Sequence, residues 1–83
     1  MLTVSVVSPE RTLFEGEAES IVAPAFDGEL GILTNHAPML TLLGTGTLRL
    51  RSAGGDRAFQ VAGGFLEVSE NRVRVVTERA EGV

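Results

Sequence analysis

The sequence predicts an all-β fold, a two-sheet β-sandwich of short strands, on three observations. Apolar residues recur with a period of two, where a helix would need 3.6. β-Branched residues dominate those alternating runs, as half-buried pleated strands favour. Ten glycines, several of them in turn dipeptides, punctuate the chain at the short intervals a sandwich requires.

Leu2, Val4 and Val6 alternate with Thr3 and Ser5, so residues 2–8 read as a strand ended by Ser8-Pro9. Thr12, Leu13 and Phe14 form a short second strand, closed by Glu15-Gly16 as a turn. From Glu17 an acidic edge runs into Ile21-Val22-Ala23, and Pro24 closes it because proline cannot donate to a ladder. Asp27-Gly28 supplies a turn pair able to take φ > 0. In residues 47–51 the leucines point one way and the arginines the other. Residues 53–56 turn the chain into a strand over 58–61, and Gly63-Gly64 breaks it as a bulge or a close backbone approach. Phe65 to Val68 resume the run, and Glu70-Asn71 turns into Arg72-Val73-Arg74-Val75. Helical pattern is confined to one candidate turn at residues 37–40, with Asn35 as its cap. The folded domain is expected over residues 1–77, with 78–83 a short, frayed polar tail.

Composition narrows the function classes. A chain of 83 residues makes one domain that buries only about 60% of the surface its unfolded form exposes. Without cysteine there is neither a disulfide nor a thiolate. All seven basic residues are arginines, which removes Schiff-base chemistry and lysine-borne carrier groups. A single histidine, His36, cannot make a histidine-only zinc site. The net charge of −4 has the wrong sign for a general nucleic-acid binder. Charge is unevenly spread: residues 1–41 hold six acids and one arginine, 42–83 five acids and six arginines. Two faces of different potential suit docking between partners. No stretch approaches the roughly 20 apolar residues of a membrane span, and the N-terminus lacks signal-peptide character. A soluble, cytosolic domain is expected, attached to a membrane only through another protein.

Three constellations carry potential chemistry. Glu15, Glu17 and Glu19, at spacing two, share one strand face and read as a solvated row that discourages edge pairing, or as a site for a cation or basic partner. Nothing in the row suggests the apolar pocket that paired carboxylates need for general acid and base work. Arg49, Arg51, Arg72 and Arg74 form a basic face if their strands lie side by side, either solvated or at a protein interface. His36 lacks a nucleophile elbow and is read as a structural hydrogen-bonding residue or an exposed contact. The segment with excess information is residues 27–40, DGELGILTNHAPML, which looks like a rigid loop presented at the end of a sandwich.

That segment resembles a signature of the epsilon subunit of F-type rotary ATP synthases, called delta in mitochondria. Gly28-Glu29-Leu30-Gly31-Ile32 is followed by Asn35-His36-Ala37-Pro38 and a Leu/Met-rich strand. The rest agrees in order: Val6-Val7-Ser8-Pro9-Glu10, Leu13-Phe14-Glu15-Gly16, Gly46-Thr47-Leu48-Arg49-Leu50, Ala62-Gly63-Gly64-Phe65-Leu66-Glu67-Val68, and the run from Arg72 to Thr77. Thr34 stands where family members often have proline, which leaves the loop less rigid on the same path.

The resemblance implies a sandwich of about ten short strands that binds the foot of the gamma subunit and rests on the ring of c subunits. It implies a non-catalytic rotor subunit of a proton- or sodium-translocating enzyme, needing no cofactor and lying at the cytoplasmic face of the bacterial inner membrane. Glu29, Leu30 and Gly31 match the loop that meets the c-ring; Ser8, His36 and Thr41 match positions near gamma, with Ala37 and Pro38 shaping the same surface. Many bacterial members continue into an inhibitory helical hairpin of roughly 25 to 30 residues. Eight residues follow Val75, so a subunit without that arm is expected if the 83 residues are the whole gene product. The alternatives are a free-standing β-sandwich binding module, which lacks Trp and Tyr for a groove and whose four Phe suit core positions, and a small hydrolase around His36.

Overall fold

The structure, a computed structural model, describes residues 1–82. Its strands are β1 (Leu2–Val7), β2 (Thr12–Ala18), β3 (Ser20–Ala25), β4 (Gly28–Leu33), β5 (Met39–Leu42), β6 (Thr45–Arg51), β7 (Arg57–Ser69) and β8 (Arg72–Gly82). The all-β sandwich holds, with eight strands in place of about ten. The shortfall has a physical cause: β7 and β8 are long enough to serve both layers. The first half of β7 pairs with β6 (Leu48↔Phe59) and its second half with β5 (Leu40↔Glu67). β8 begins parallel to β1 (Val4↔Val73) and ends beside the first half of β7 (Val61↔Ala80). One layer is therefore β2-β1-β8-β7-β5 and the other β4-β3-β6-β7-β8.

The alternation read from the sequence selects the inner faces. Leu2, Val4, Val6, Leu66, Val68, Val73 and Val75 of the first layer meet Ile21, Ala23, Ile32, Leu48, Leu50, Phe59 and Val61 of the second, all buried. Each fully buried Leu or Val contributes about 1.5–3 kcal/mol. Arg57 closes one end of the core, its guanidinium 5.5 Å from the Phe14 ring centroid and 5.4 Å from that of Phe59.

The two long strands cross between layers at Gly63-Gly64. Their φ angles of 72° and 105° lie in the region an L side chain rarely adopts. A Cβ on Gly64 would overlap the Val76 carbonyl and come within 2.8 Å of the Thr77 Cα, so the close backbone approach is confirmed. The bulge is not, because the β7–β8 register is the same on both sides of Gly63, with Ala62↔Arg79 before it and Gly64↔Thr77 after it. Beside the crossing, the buried Thr77 hydroxyl donates to the Arg79 carbonyl at 2.8 Å, with the Gly63 carbonyl 3.1 Å away.

Four local expectations are corrected. Glu15-Gly16 is no turn: β2 runs through it, and Gly16 makes room for the Phe14 ring, whose edge lies 3.3 Å from where a Cβ would stand. Pro24 lies inside β3, past Val22 where the ladder to β6 ends; its carbonyl accepts from Gly44 N–H at 2.8 Å and no donor is demanded of it. Residues 37–40 form no helical turn, because Met39–Leu42 pairs with β7 and tertiary pairing overrides a weak local signal. The polar tail is not frayed over its described residues: β8 reaches Gly82, paired with the first half of β7, and Ala80 packs on the core. Val83 lies outside the described residues.

Candidate docking surface

β3 and β4 form a tight hairpin, Ala25 pairing with Gly28 and Gly28 taking a φ of 133°. The hairpin presents Asp27 and Glu29 to solvent, with Gly31 also exposed and no heavy atom within 4 Å of where a Cβ would stand. Leu30, by contrast, is half-buried and packs on the core, so it anchors the hairpin while Glu29 is displayed. The three residues expected in one loop lie instead on β4, paired with β3, and divide between presentation and support.

The residues assigned to a second contact are more scattered. Ser8 is half-buried in the β1–β2 turn, where its N–H and its hydroxyl both donate to the Arg11 carbonyl, at 2.9 and 3.3 Å. Ala37 and Pro38 are exposed in the loop between β4 and β5. His36 is half-buried there; its N–H donates to the Leu33 carbonyl at 3.1 Å and its Nδ1 lies 2.7 Å from the Ala37 carbonyl. Thr41 stands opposite buried Leu66, on the inward side of β5. Ser8 follows Val7 at one end of the first layer, and the 34–38 loop touches Asn71 at the other. One layer carries both, but no single cluster contains them.

What joins the two ends is a row that sequence reasoning missed. Leu40 and Leu42 alternate with Thr41 and face outward, 69% and 62% exposed. Leu42 stands opposite Phe65, Phe65 opposite Val76, and Val76 opposite Val7, so half-buried apolar side chains continue across the outer face from β5 to β1. A charged row lies alongside, Glu67 opposite Arg74 and Arg74 opposite Ser5. Leu40, Leu42, Phe65, Glu67 and Arg74 border a shallow groove of about 500 Å³. An apolar strip rimmed by charge is the composition of a protein interface. The available signal was in Met39-Leu40-Thr41-Leu42-Leu43: apolar residues on both faces of an edge strand leave one set without a core to enter.

Other sequence candidates separate. Glu15 and Glu17 are exposed at alternate positions of β2, but Glu19, also exposed, lies beyond the strand in the bend before β3, so the three do not form one strand row. The four arginines do not form one basic face: Arg49 and Arg51 lie on β6 and Arg72 and Arg74 on the first half of β8, in different layers. Of the four Phe, only Phe59 is buried; Phe14 and Phe65 are half-buried, and Phe26, at the tip of the β3–β4 hairpin, is 70% exposed. Among the described residues no three His, Asp or Glu side chains converge on a metal-sized site.

Comparison with known proteins places the chain in a family and supports its fold. The chain is 46% identical over 80 residues to an ATP synthase epsilon chain of a Synechococcus strain, covering 96% of this chain and 58% of that protein. It is 48% identical over 82 residues to the ATP synthase epsilon chain of Nostoc punctiforme, covering 96% and 60%. The chain therefore spans about three-fifths of the length of these curated relatives. The fold matches a chain in the Euglena gracilis mitochondrial ATP synthase OSCP/F1/c-ring structure, with a TM-score of 0.89 at 23% identity over 98% of this chain and 52% of that one. It also matches one in the Tetrahymena thermophila mitochondrial ATP synthase central stalk/c-ring structure, with a TM-score of 0.81 at 20% identity over 96% and 65%. The family described as the ATP synthase delta/epsilon chain β-sandwich domain matches residues 1–83 in full, and the chain belongs to that family.

Proposed function

We propose that this chain is a non-catalytic rotor component of an F-type ATP synthase, docking on the gamma subunit and on the c-ring and so coupling ion flow to ATP synthesis. The observation that carries the reading is the outward apolar row of Leu40, Leu42 and Phe65 on the face bordered by the 34–38 loop. A large partner must cover such a strip, and gamma is the partner that family membership supports. The exposed hairpin with Asp27 and Glu29 supplies a second, acidic contact, suited to basic or polar loops of the c-ring. The chains that share this fold come from ATP synthase assemblies that include a central stalk and c-rings, in keeping with this reading. Through that ring the chain would lie peripherally at the cytoplasmic face of the membrane; among the described residues no helix is long and apolar enough to cross it.

The test is capture from detergent-solubilised membranes of the source cell with the full chain as bait. Recovery of gamma and the c subunit together supports the reading. Recovery of neither, with the bait folded by circular dichroism, sinks it.

A further inference from the structure

The loop that displays Ala37 and Pro38 and carries His36 has no regular structure of its own between β4 and β5. Such a segment pays its ordering entropy on binding unless something holds it beforehand. The structure supplies a holder from a distant part of the chain. Asn71 accepts the Asn35 backbone N–H on its Oδ1 at 2.6 Å, across 36 residues of sequence, and its Nδ2 donates to the Asn35 side-chain oxygen at 3.4 Å.

Both partners are set up for this by their backbones. Glu70 and Asn71 occupy the two central positions of the β7–β8 hairpin, with φ of 51° and 60° between the paired Ser69 and Arg72. Asn35 takes a φ of 69° in the turn closed by His36 N–H on the Leu33 carbonyl. Asparagine tolerates this left-handed region better than most residues. Asn71 is itself fixed, because its carbonyl accepts the Thr3 N–H at 2.8 Å at the start of the parallel β1–β8 ladder. A side chain mounted on a rigid hairpin therefore grips a loop that lacks a ladder.

We infer that Asn71 is a positioning residue: its side-chain amide pre-organises the loop bearing His36, Ala37 and Pro38 in the shape that docks. This rests on the docking reading above and adds to it a residue that does not itself touch the partner. The carboxamide oxygen is the operative atom, since it takes the shorter bond.

Two substitutions isolate the effect. Asn71→Gly keeps the left-handed backbone and removes the grip. Asn71→Asp keeps an acceptor at the same place. With the full chain and the gamma subunit of the same enzyme as the probe, Asn71→Gly is expected to raise the Kd roughly tenfold, the worth of one hydrogen bond. Asn71→Asp is expected to restore wild-type affinity, and all three proteins to melt within a few degrees of one another. Heteronuclear NOE values for residues 34–37 should fall in Asn71→Gly alone. Equal gamma affinity for the wild type and Asn71→Gly would overturn the inference, as would a failure of Asn71→Asp to rescue. If the wild type itself fails to bind gamma, the docking reading falls, and unchanged loop NOE values in Asn71→Gly would then refute the grip separately.

Discussion

Gly64→Ala tests whether the crossing of β7 and β8 is what makes one sandwich of two layers. The alanine must adopt a φ of 105°, outside even the left-handed helical region. Strain of that kind costs about 1–3 kcal/mol. Its methyl also overlaps the Val76 carbonyl and lies 2.8 Å from the Thr77 Cα, both backbone, so no rotamer change relieves it. Forced overpacking adds about 1–3 kcal/mol. Against a total stability of about 0.05–0.15 kcal/mol per residue, or about 4–12 kcal/mol for an 83-residue domain, the two together remove about half at mid-range values. For a domain of this size each kcal/mol moves the Tm by roughly 4–8 °C, so a fall of more than about 10 °C is expected. Urea denaturation followed by far-UV circular dichroism suits a chain without Trp or Tyr. Gly54→Ala is the control, since its Cβ would meet nothing within 4 Å and its φ is ordinary. Its midpoint should stay within about 0.5 kcal/mol of the wild type. If Gly64→Ala unfolds at the same urea concentration as Gly54→Ala, the crossing does not have the role assigned to it.

Leu42→Asp places a charge in the centre of the outward row, where the side chain is 62% exposed and the fold does not need it. Gamma affinity measured by calorimetry should fall by roughly tenfold or more with the Tm little changed, and an unaltered affinity would move the interface elsewhere. Glu29→Lys reverses the charge of the exposed hairpin and should weaken assembly with the c-ring in detergent without changing the urea midpoint; undiminished assembly removes Glu29 from that contact. Thr77→Val deletes the one buried hydroxyl at the crossing and should lose about 1–2 kcal/mol, whereas Thr77→Ser, which keeps the donor to the Arg79 carbonyl, should recover part of it in the same melt.

The core was legible because it obeys a period of two. Leu2, Val4 and Val6, or Leu48 and Leu50, announce their inner face without reference to any partner. What escaped depended on pairing at a distance. Nothing local marks residues 78–82 as a strand until the first half of β7 is seen to need a neighbour. Pro24 ends a strand in most settings and does not here only because β6 diverges after Val22. Glycine was ambiguous for a similar reason: Gly16 serves the Phe14 ring and Gly64 a backbone crossing, and the sequence writes both as it writes a turn. On the candidate surface, the 27–40 segment was located by its composition, but composition cannot distinguish Leu30, which supports, from Glu29, which is displayed. Leu40 and Leu42 were passed over because an apolar residue in a strand is read as core by default.

The proposed coupling of a ring to a stalk requires that the two candidate docking regions move as one body. Ala25 bridges to Leu43 and the Phe26 N–H donates to the Leu42 carbonyl at 3.2 Å, so the hairpin that displays Glu29 is bonded to the strand end that displays Leu42. Leu43 N–H in turn donates to the Gly64 carbonyl at 3.0 Å, at the crossing. From there β7 carries Phe65 into one layer and Phe59 into the other without leaving the chain. A load applied at Glu29 therefore reaches the apolar row through backbone hydrogen bonds and one covalent strand, with no intervening flexible loop. Two sheets held only by side-chain packing can slide by small shear displacements. Two strands common to both layers oppose that sliding, which is why a domain of this architecture suits mechanical coupling.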